Sequence, residues 1–465
     1  MGFVLSVLYF VTYYLTPAVL FGPLAAYHIE WILAVLVLLV SLPRLIGSFT
    51  LRSPQSLALA GLTFAVFMSV LIGAHWAGGA VNAFLGFIPS AFGYFIVCLH
   101  CNTKKKLQVL IAVMLFVCLF VIANGSLDLV HGIPRDAYGQ PAYTESFEAN
   151  AWDAQHPYLF EMRSDAGEWF FRLRGLGLIN DPNDFGQLAV CVIPLIFIFW
   201  RPKKVIFNAI CVALPVCVLL LGIFLTHSRG ALLALIVVAV MMVRRRIGMV
   251  LALLVAGGLF AMAMALQFTG GRDISASAGE DRTTLWSQSL QLFKSHPLFG
   301  VGFGNLPDYL GQTAHNSVAV CAAELGFFGL FFWCLFLFPT VRDVLVVASS
   351  KHVSEEDVVV EETELFPRAT RTIESIDKAE INHLGRLMVL SLSGFLVAGW
   401  FLSRAFVMTL FLLGGMVEVV YEMALQRGMV APRLRLARLL PYSGIFAVSL
   451  VFMLYVMLRI LNLMR

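Results

Sequence analysis

Residues 204–246 read KVIFNAICVALPVCVLLLGIFLTHSRGALLALIVVAVMMVRRR. Two apolar runs, near residues 204–225 and 230–243, are joined by only a few polar residues, Thr226-His227-Ser228-Arg229-Gly230, and basic residues stand at both outer ends. Apolar runs with charged flanks are typical of membrane-spanning helices, and the short polar connection leaves almost no room for a loop. The stretch therefore predicts a tight hairpin of two membrane helices, with Arg229 at its mouth.

The whole chain has the same character, since 60% of its 465 residues are hydrophobic and only 13% are charged. A mean hydropathy of +0.86 excludes an ordinary soluble domain. The net charge of +4 is small and dispersed, so nucleic acid is not the implied partner. All eight cysteines lie in or beside apolar runs, and we interpret Cys98-x-x-Cys101 as ordinary helix cysteines rather than as a redox or zinc site.

Apolar runs of membrane-spanning length fall near residues 3–24, 30–48, 56–76, 81–99, 107–125, 184–200, 204–225, 230–243, 247–267, 316–340, 385–402, 405–424 and 442–461. We therefore expect an all-α polytopic membrane protein with about 12–13 transmembrane helices. The first run has no basic region before it and is too long for a signal peptide, so it is expected to remain as a span.

Orientation follows from five short basic connections, which all fall on one side when the spans are counted in order. They are Arg44 and Arg52, Lys104–Lys106, Arg201 with Lys203 and Lys204, Arg244–Arg246, and the arginines at 427, 433, 435 and 438. The positive-inside rule assigns that side to the cytoplasm. We expect the two longest remaining polar segments, which contain short helices, to lie together on the outer side.

The expected organisation has seven parts. They are N-terminal spans at 1–125, a first long outer loop at 126–183, spans with the polar hairpin at 184–267, a second long outer loop at 268–315, one span at 316–340, an acidic cytoplasmic loop at 341–384 and C-terminal spans at 385–465. The acidic loop is interpreted as a flexible connection, with a regulatory role as the alternative. Arginine alternates with leucine over residues 432–440, which predicts a short helix lying on the inner surface.

Arg229 and His315 are the leading candidates for chemistry. Arg229 can extend to lipid headgroups, or it can hold an anionic ligand with a planar guanidinium that suits phosphate. His315, in Ala314-His315-Asn316-Ser317, can cap a helix or face water. It can also act as a general base, because its pKa lies near ambient pH and a helix N-terminus favours the neutral form.

The two long polar segments supply the remaining candidates. In the second, an amphipathic helix opens near Gly279 and carries Arg282 and Trp286, and it breaks at the glycines of residues 296–305, which make only a weak phosphate-loop signal. In the first, Arg172 and Arg174 compete for one inward position, and we favour Arg174 because it stands next to Gly175. Asp181, Asn183 or Asp184 is expected to cap the next helix. The outer segments contain no acidic pair or His/Cys spacing typical of a metal site, so we expect no metal and no cofactor.

The order of short motifs over residues 170–330 resembles the bacterial O-antigen ligase and polymerase superfamily. The motifs are T-x-S-R-G at 226–230, R-x-x-L-W at 282–286, H-P-x-x-G-x-G-x-G-N at 296–305, H-N-S at 315–317 and A-E-L-G-x-x-G at 323–329. The Arg174-Gly175 and Asp181–Asp184 stretches are also similar to those of many members.

The resemblance implies a multi-spanning inverting glycosyltransferase of the bacterial inner (plasma) membrane, in which the two long outer loops are periplasmic. It would take a glycan from an undecaprenyl diphosphate carrier at the periplasmic face. His315 would be the base, Arg229 and Arg282 would bind diphosphate, Arg174 would assist with Arg172 as its competitor, and Ser228, Asn316 and Trp286 would support them. The most favoured activity is O-antigen ligase in lipopolysaccharide biosynthesis, which joins the polysaccharide to a sugar hydroxyl of the lipid A core.

Three alternatives stay open. An O-antigen or exopolysaccharide polymerase differs only in using a lipid-linked glycan as acceptor, and a protein O-glycosylation ligase ranks lower because nothing marks a peptide groove. A transporter or lipid-linked sugar flippase usually places ionisable residues near the membrane midplane, whereas here polarity gathers at one face.

Overall fold

In a computed structural model, the protein is described at residues 1–47, 53–132, 156–163, 169–266, 268, 276–350 and 376–463. The first five long helices are α1 (Gly2–Leu15), α2 (Ile29–Gly47), α3 (Pro54–Met68), α4 (Ala77–His100) and α5 (Lys104–Leu127). Ser53 and Thr103 accept backbone hydrogen bonds at the starts of α3 and α5, so side-chain caps fix where these helices begin. Helix α3 continues as a π turn at Ser69–Gly73, and α5 as a π turn at Asp128–Gly132.

Two short antiparallel strands follow, β1 (Leu159–Arg163) and β2 (Trp169–Leu173), with Leu159 opposite Leu173. The remaining helices are α6 (Pro182–Ile196), α7 (Leu214–Thr226), α8 (Arg229–Ile247), α9 (Met249–Ala265), α10 (Ala276–Ser295), α11 (Leu306–Leu310), α12 (Ser317–Ser349), α13 (Lys378–Gly399), α14 (Met408–Gln426) and α15 (Leu436–Leu463). A helical turn at Val205–Asn208 and a π turn at Ala209–Ala213 lead directly into α7.

The prediction of an all-α polytopic membrane protein is confirmed. Nine helical segments in the described part of the chain are long and apolar enough to cross a membrane. Four further helices match the remaining predicted apolar runs. Helices α1 and α9 are shorter apolar helices, and α2 and α8 have 19 residues each. Every predicted apolar run therefore corresponds to a helix. The β1–β2 hairpin was not predicted, because its two strands lie in a polar segment without a clear alternating pattern.

Burial separates a central group of helices from the perimeter. The spans that contain α14, α6 and α12 are 89%, 83% and 78% buried within the protein, whereas those of α7 and α15 are only 28% and 17% buried. Apolar helices that expose so much surface suit contact with lipid. The site described below lies where the central helices begin or end.

Two sequence predictions need correction at the basic end of the bundle, where Arg44 contacts His100 and Lys104 pairs with Glu380. The predicted loop at 341–384 is helical to Ser349 and again from Lys378, and its acidic run lies outside the described residues. The predicted surface helix near 432–440 is wrong. Helix α15 begins at Leu436 and continues into its span. The half-buried Arg433 donates to Glu418 and Asp343 at 2.7–2.9 Å, which draws this segment into the bundle.

A break in α12 receives the glycine-rich loop of residues 296–305. Gly326 has non-helical backbone angles (φ 65°, ψ −165°), so neighbouring peptide groups lose their helical partners. The carbonyls of Ala323 and Glu324 accept from the N–H groups of Val301 and Gly302 at 2.9 and 3.0 Å. In return, the N–H groups of Phe327 and Phe328 donate to the carbonyls of Pro297 and Leu298 at 2.7 and 3.1 Å. The loop therefore satisfies the backbone of a broken membrane helix.

Glycine is required on both sides of this contact. A Cβ on Gly300 would lie 2.4 Å from the backbone of Glu324, and one on Gly326 would lie 2.4 Å from the backbone of Leu298. Both residues also have positive φ. The carboxylate of Glu324 accepts from the N–H groups of Gly304 and Leu306, at the start of α11. The glycines thus have a structural role and do not form a phosphate loop.

Candidate active site

The turn between α7 and α8 fixes Arg229 at the first position of a helix. Ser228 is the N-cap of α8, and its hydroxyl accepts from the N–H of Ala231 at 3.3 Å. The hydroxyl of Thr226 accepts from the N–H of Ser228 at 3.2 Å, and His227 adopts a left-handed conformation with φ 48°. The predicted tight hairpin is present, with Ser228 acting through its cap.

His227 supports this turn from the outside. Its Nδ1 lies 2.7 Å from the carbonyl oxygen of Phe268, and its ring packs against Phe170 and Phe224. The imidazole thus joins the turn to β2 and to Phe268, which lies three residues after the end of α9.

Arg172 joins three elements at the site. Its Nε donates to the carbonyl oxygen of Thr226 at 2.8 Å, and its Nη2 donates to Oδ1 of Asn183 at 3.1 Å. Arg172 is only 4% exposed. Its hydrogen bonds hold β2, the turn between α7 and α8, and the start of α6 together.

Arg174 is directed differently. Its Nε donates to the carbonyl oxygen of Pro157 at 3.1 Å, and its guanidinium lies 5.9 Å from the ring centre of Phe160 in β1. Arg174 was expected at the inward position, but Arg172 is the residue that contacts the turn. Residues two apart in a strand share a face, so side-chain alternation does not separate the two arginines. They differ because β2 ends at Leu173 and Arg174 lies beyond it.

The start of α6 contributes two carboxylates with different partners. Asp181 is the N-cap and accepts from the N–H of Asn183 at 2.7 Å, as expected for a capping residue. Asp184 lies one turn further, is 4% exposed and forms an ion pair with Arg404. This pair was missed. Its signal in the sequence was a lone arginine between two apolar runs, which calls for a partner when it is buried.

Helix α10 is fastened to the residue before His315. The indole Nε1 of Trp286 donates to the carbonyl oxygen of Ala314 at 2.8 Å, and both residues are buried. Arg282 lies one turn earlier on the same helix, so this bond sets its position relative to His315.

The sequence His315-Asn316-Ser317 is held by the segment between α13 and α14. The backbone N–H of His315 donates to the hydroxyl of Ser403 at 2.9 Å, and the amide of Asn316 donates to the carbonyl of Trp400 at 2.9 Å. The hydroxyl of Ser317 donates to the carbonyl of Leu402 and accepts from the N–H of Arg404, at 2.8 and 3.0 Å. Asn316 also caps α12 through the N–H of Ala319, which explains its place in the motif.

The electrostatics show that the candidates share one environment. The pKa of His315 is lowered by burial and by the charge of Arg282, while Asp181 raises it. The pKa of Arg282 is itself lowered by burial and by the charge of Arg229. The influence of one charge on another group's pKa weakens with distance, so Arg282 lies near both Arg229 and His315. Two adjacent guanidinium groups favour an anion, and a neutral imidazole beside them can accept a proton.

Among the residues that the structure describes, no group of three or more His, Cys, Asp or Glu side chains is arranged to hold a metal ion. The expectation that catalysis needs neither metal nor cofactor stays a prediction.

Comparison with known proteins identifies the central part of this arrangement. Residues 214–334 match the family model described as O-antigen ligase. This segment is similar to the O-antigen ligase and polymerase superfamily. The superfamily match confirms the resemblance seen in the motifs and supports a membrane glycosyltransferase that uses lipid-linked glycans. A search of curated proteins finds no match for the chain.

The superfamily segment holds six of the predicted site residues, namely Ser228, Arg229, Arg282, Trp286, His315 and Asn316. Arg172 and Arg174 precede it, and the partners Ser403 and Arg404 follow it. The site is therefore completed by parts of the chain on both sides of the segment.

Proposed function

We propose that the protein is an inverting glycosyltransferase that moves a glycan from undecaprenyl diphosphate to a sugar hydroxyl, and that it acts as an O-antigen ligase on the lipid A core. The observation that carries this proposal is the electrostatic coupling of Arg229, Arg282 and His315. It joins two cations suited to a diphosphate with a base kept neutral at physiological pH.

The proposed reaction uses each of these groups once. His315 takes the proton from the acceptor hydroxyl, and the oxygen forms a bond to the anomeric carbon on the face opposite the diphosphate. The bond from that carbon to the diphosphate oxygen breaks, and its electron pair leaves with the diphosphate. Arg229 and Arg282 stabilise the negative charge that develops there. Attack from the opposite face inverts the configuration, and His315 later releases its proton to solvent.

Other residues have positioning roles in this proposal. Arg172 holds the turn that carries Arg229, and Trp286 holds the helix that carries Arg282. Arg174 remains a predicted assistant to diphosphate binding. The short basic connections of the chain favour a periplasmic location for the site, in the inner membrane.

The test replaces His315 with alanine in cells and examines surface glycan together with the lipid-linked pool. His296→Ala is a matched control, because His296 is an exposed histidine of the same loop. Loss of surface polymer with accumulation of long lipid-linked chains supports the ligase. Surface core that carries a single repeat supports a polymerase with the same chemistry instead. Normal surface glycan in His315→Ala cells would refute the proposal that this site transfers glycan, and would favour the transporter alternative.

A further inference from the structure

A cavity of about 250 Å³ lies beside the α13–α14 connection, the segment that holds the backbone of His315. Ser403, whose hydroxyl accepts from the backbone N–H of His315, lines this cavity together with Arg404. Asp184 and Gln187 of α6 line it as well. The segment that holds His315 thus contributes polar groups to the wall of this cavity.

The other walls of the cavity are aromatic. Tyr14, Phe87, Phe303 and Phe406 supply them, and the hydroxyl of Tyr14 lies 2.9 Å from that of Thr409. A space that combines ring faces with a carboxylate, an amide and hydroxyls suits a ligand with apolar faces and polar edges.

Two larger cavities provide a contrast. One of about 770 Å³ lies between α3 and α4 and is lined by residues such as Phe64, Phe67 and Phe84. The other, of about 350 Å³, lies between α10 and α15. Their linings are almost entirely apolar, as expected where hydrocarbon chains contact a membrane protein.

The lining of the smaller cavity argues against two other occupants. An isoprenoid chain would leave Asp184 and Gln187 facing hydrocarbon, which is costly for polar groups. A phosphate would meet the carboxylate of Asp184, which already pairs with Arg404. The volume is below the range of about 300–1,000 Å³ that is typical for drug-sized ligands, so the occupant is small.

We infer that this cavity is a subsite for a single sugar ring of the glycan substrates. The inference rests on the proposed function, because it supplies the sugar whose hydroxyl or anomeric carbon must reach His315. The ring can belong to the acceptor or to the donor, and the two cases predict different kinetics.

Gly86 offers a way to block the subsite. It lines the cavity but is also exposed, so it lies at the mouth, and a Cβ built on it would meet no atom within 4 Å. Gly257 in α9 is a matched control, because it is also an exposed helical glycine with no atom within 4 Å of a built Cβ. Replacing glycine inside a helix does not weaken the helix.

The experiment compares Gly86→Val, Gly86→Phe and Gly257→Phe as purified full-length proteins. The probes are lipid-linked glycan extracted from His315→Ala cells and lipid A core from the same cells. We expect Gly86→Phe to lower transfer at least tenfold, Gly86→Val to lower it less, and Gly257→Phe to leave it unchanged, with equal thermal stability. A raised KM for the core alone assigns the ring to the acceptor, and a raised KM for the lipid-linked glycan alone assigns it to the donor.

Full activity of both Gly86 variants would overturn the subsite. If His315→Ala is inactive in that case, only the subsite inference fails and the proposed function stands. If His315→Ala transfers glycan normally, the proposed function itself fails.

Discussion

The indole of Trp286 and the carbonyl of Ala314 are joined by a 2.8 Å hydrogen bond that links α10 to the peptide before His315. Because Arg282 lies one turn before Trp286, this single bond sets the spacing between a cation and the proposed base. The bond is buried, so water cannot replace it without a change in packing.

Trp286→Phe should therefore affect activity more than stability. Loss of the hydrogen bond should cost about 0.5–1.5 kcal/mol of unfolding free energy. Displacement of Arg282 relative to His315 should lower the transfer rate about 10- to 100-fold. Thermal unfolding in detergent and a transfer assay check the two effects, with Trp200→Phe as a control because Trp200 is 52% exposed. Equal loss of stability and activity in both variants would contradict this role.

The pH dependence of transfer should be set by His315. Its pKa lies below the ordinary value of 6.5, so the base is neutral at pH 7 and activity should fall only on acidification below pH 6.5. Removing the positive charge in Arg282→Gln should raise this pKa and shift the acidic limb to higher pH. Removing the negative charge in Asp181→Asn should shift it to lower pH, and asparagine can still cap α6. Shifts in the same direction would show that another group controls the profile.

The Asp184–Arg404 pair should be costly to break and inexpensive to replace. Burial lowers the pKa of Arg404 to about 10, although Asp181 opposes the effect, so the guanidinium stays charged at neutral pH. Arg404→Met leaves a buried carboxylate without its partner and should cost about 3–5 kcal/mol of stability. The double variant Arg404→Met/Asp184→Leu should recover most of that loss but not the activity. Chemical denaturation measures the stability of both variants, and the transfer assay measures their activity.

Lys104→Met is the control for this cycle, since Lys104 and Glu380 form a partly exposed pair with side chains 27% and 35% exposed. It should cost less than about 1 kcal/mol. If Arg404→Met and Lys104→Met lose similar unfolding free energy, Asp184 must find another partner when Arg404 is removed.

Gly326→Ala should separate the glycine-rich loop from α12. The new Cβ would collide with the backbone of Leu298, and a positive φ is unfavourable for alanine. We expect a loss of at least about 2 kcal/mol and of most transfer activity. Gly258→Ala is the control, because a Cβ there meets no atom within 4 Å. Limited proteolysis of residues 296–305 should increase only in the first variant.

Transfer by the purified protein should persist in EDTA, because the proposed charge stabilisation comes from Arg229 and Arg282 rather than from a divalent cation. The assay compares rates with EDTA and with added Mg²⁺. Strict dependence on the metal would refute the arginine mechanism and leave the assignment of His315 to be tested separately.

Hydropathy was sufficient to place the helices, because each apolar run is a local property of the chain. The motifs likewise singled out His315 and Arg229 as candidates, since short polar groups at membrane boundaries are distinctive. The choice between Arg172 and Arg174 was not local, because it depends on how a hairpin packs on α6 and α7. The Asp184–Arg404 pair and the inward position of Arg433 depend in the same way on helix packing between residues distant in sequence.

The hydrogen bonds around His315 also imply an order of assembly. The Trp286–Ala314 bond joins residues that are 28 apart in sequence. The contact between α10 and the peptide before His315 can therefore form as soon as α12 enters the membrane. The bond from His315 to Ser403 spans 88 residues and must await α13 and the chain beyond it. At about 5–20 residues per second of synthesis, the interval is roughly several seconds. A nascent or truncated chain that carries both arginines and the histidine is therefore expected to be inert until the later helices are inserted.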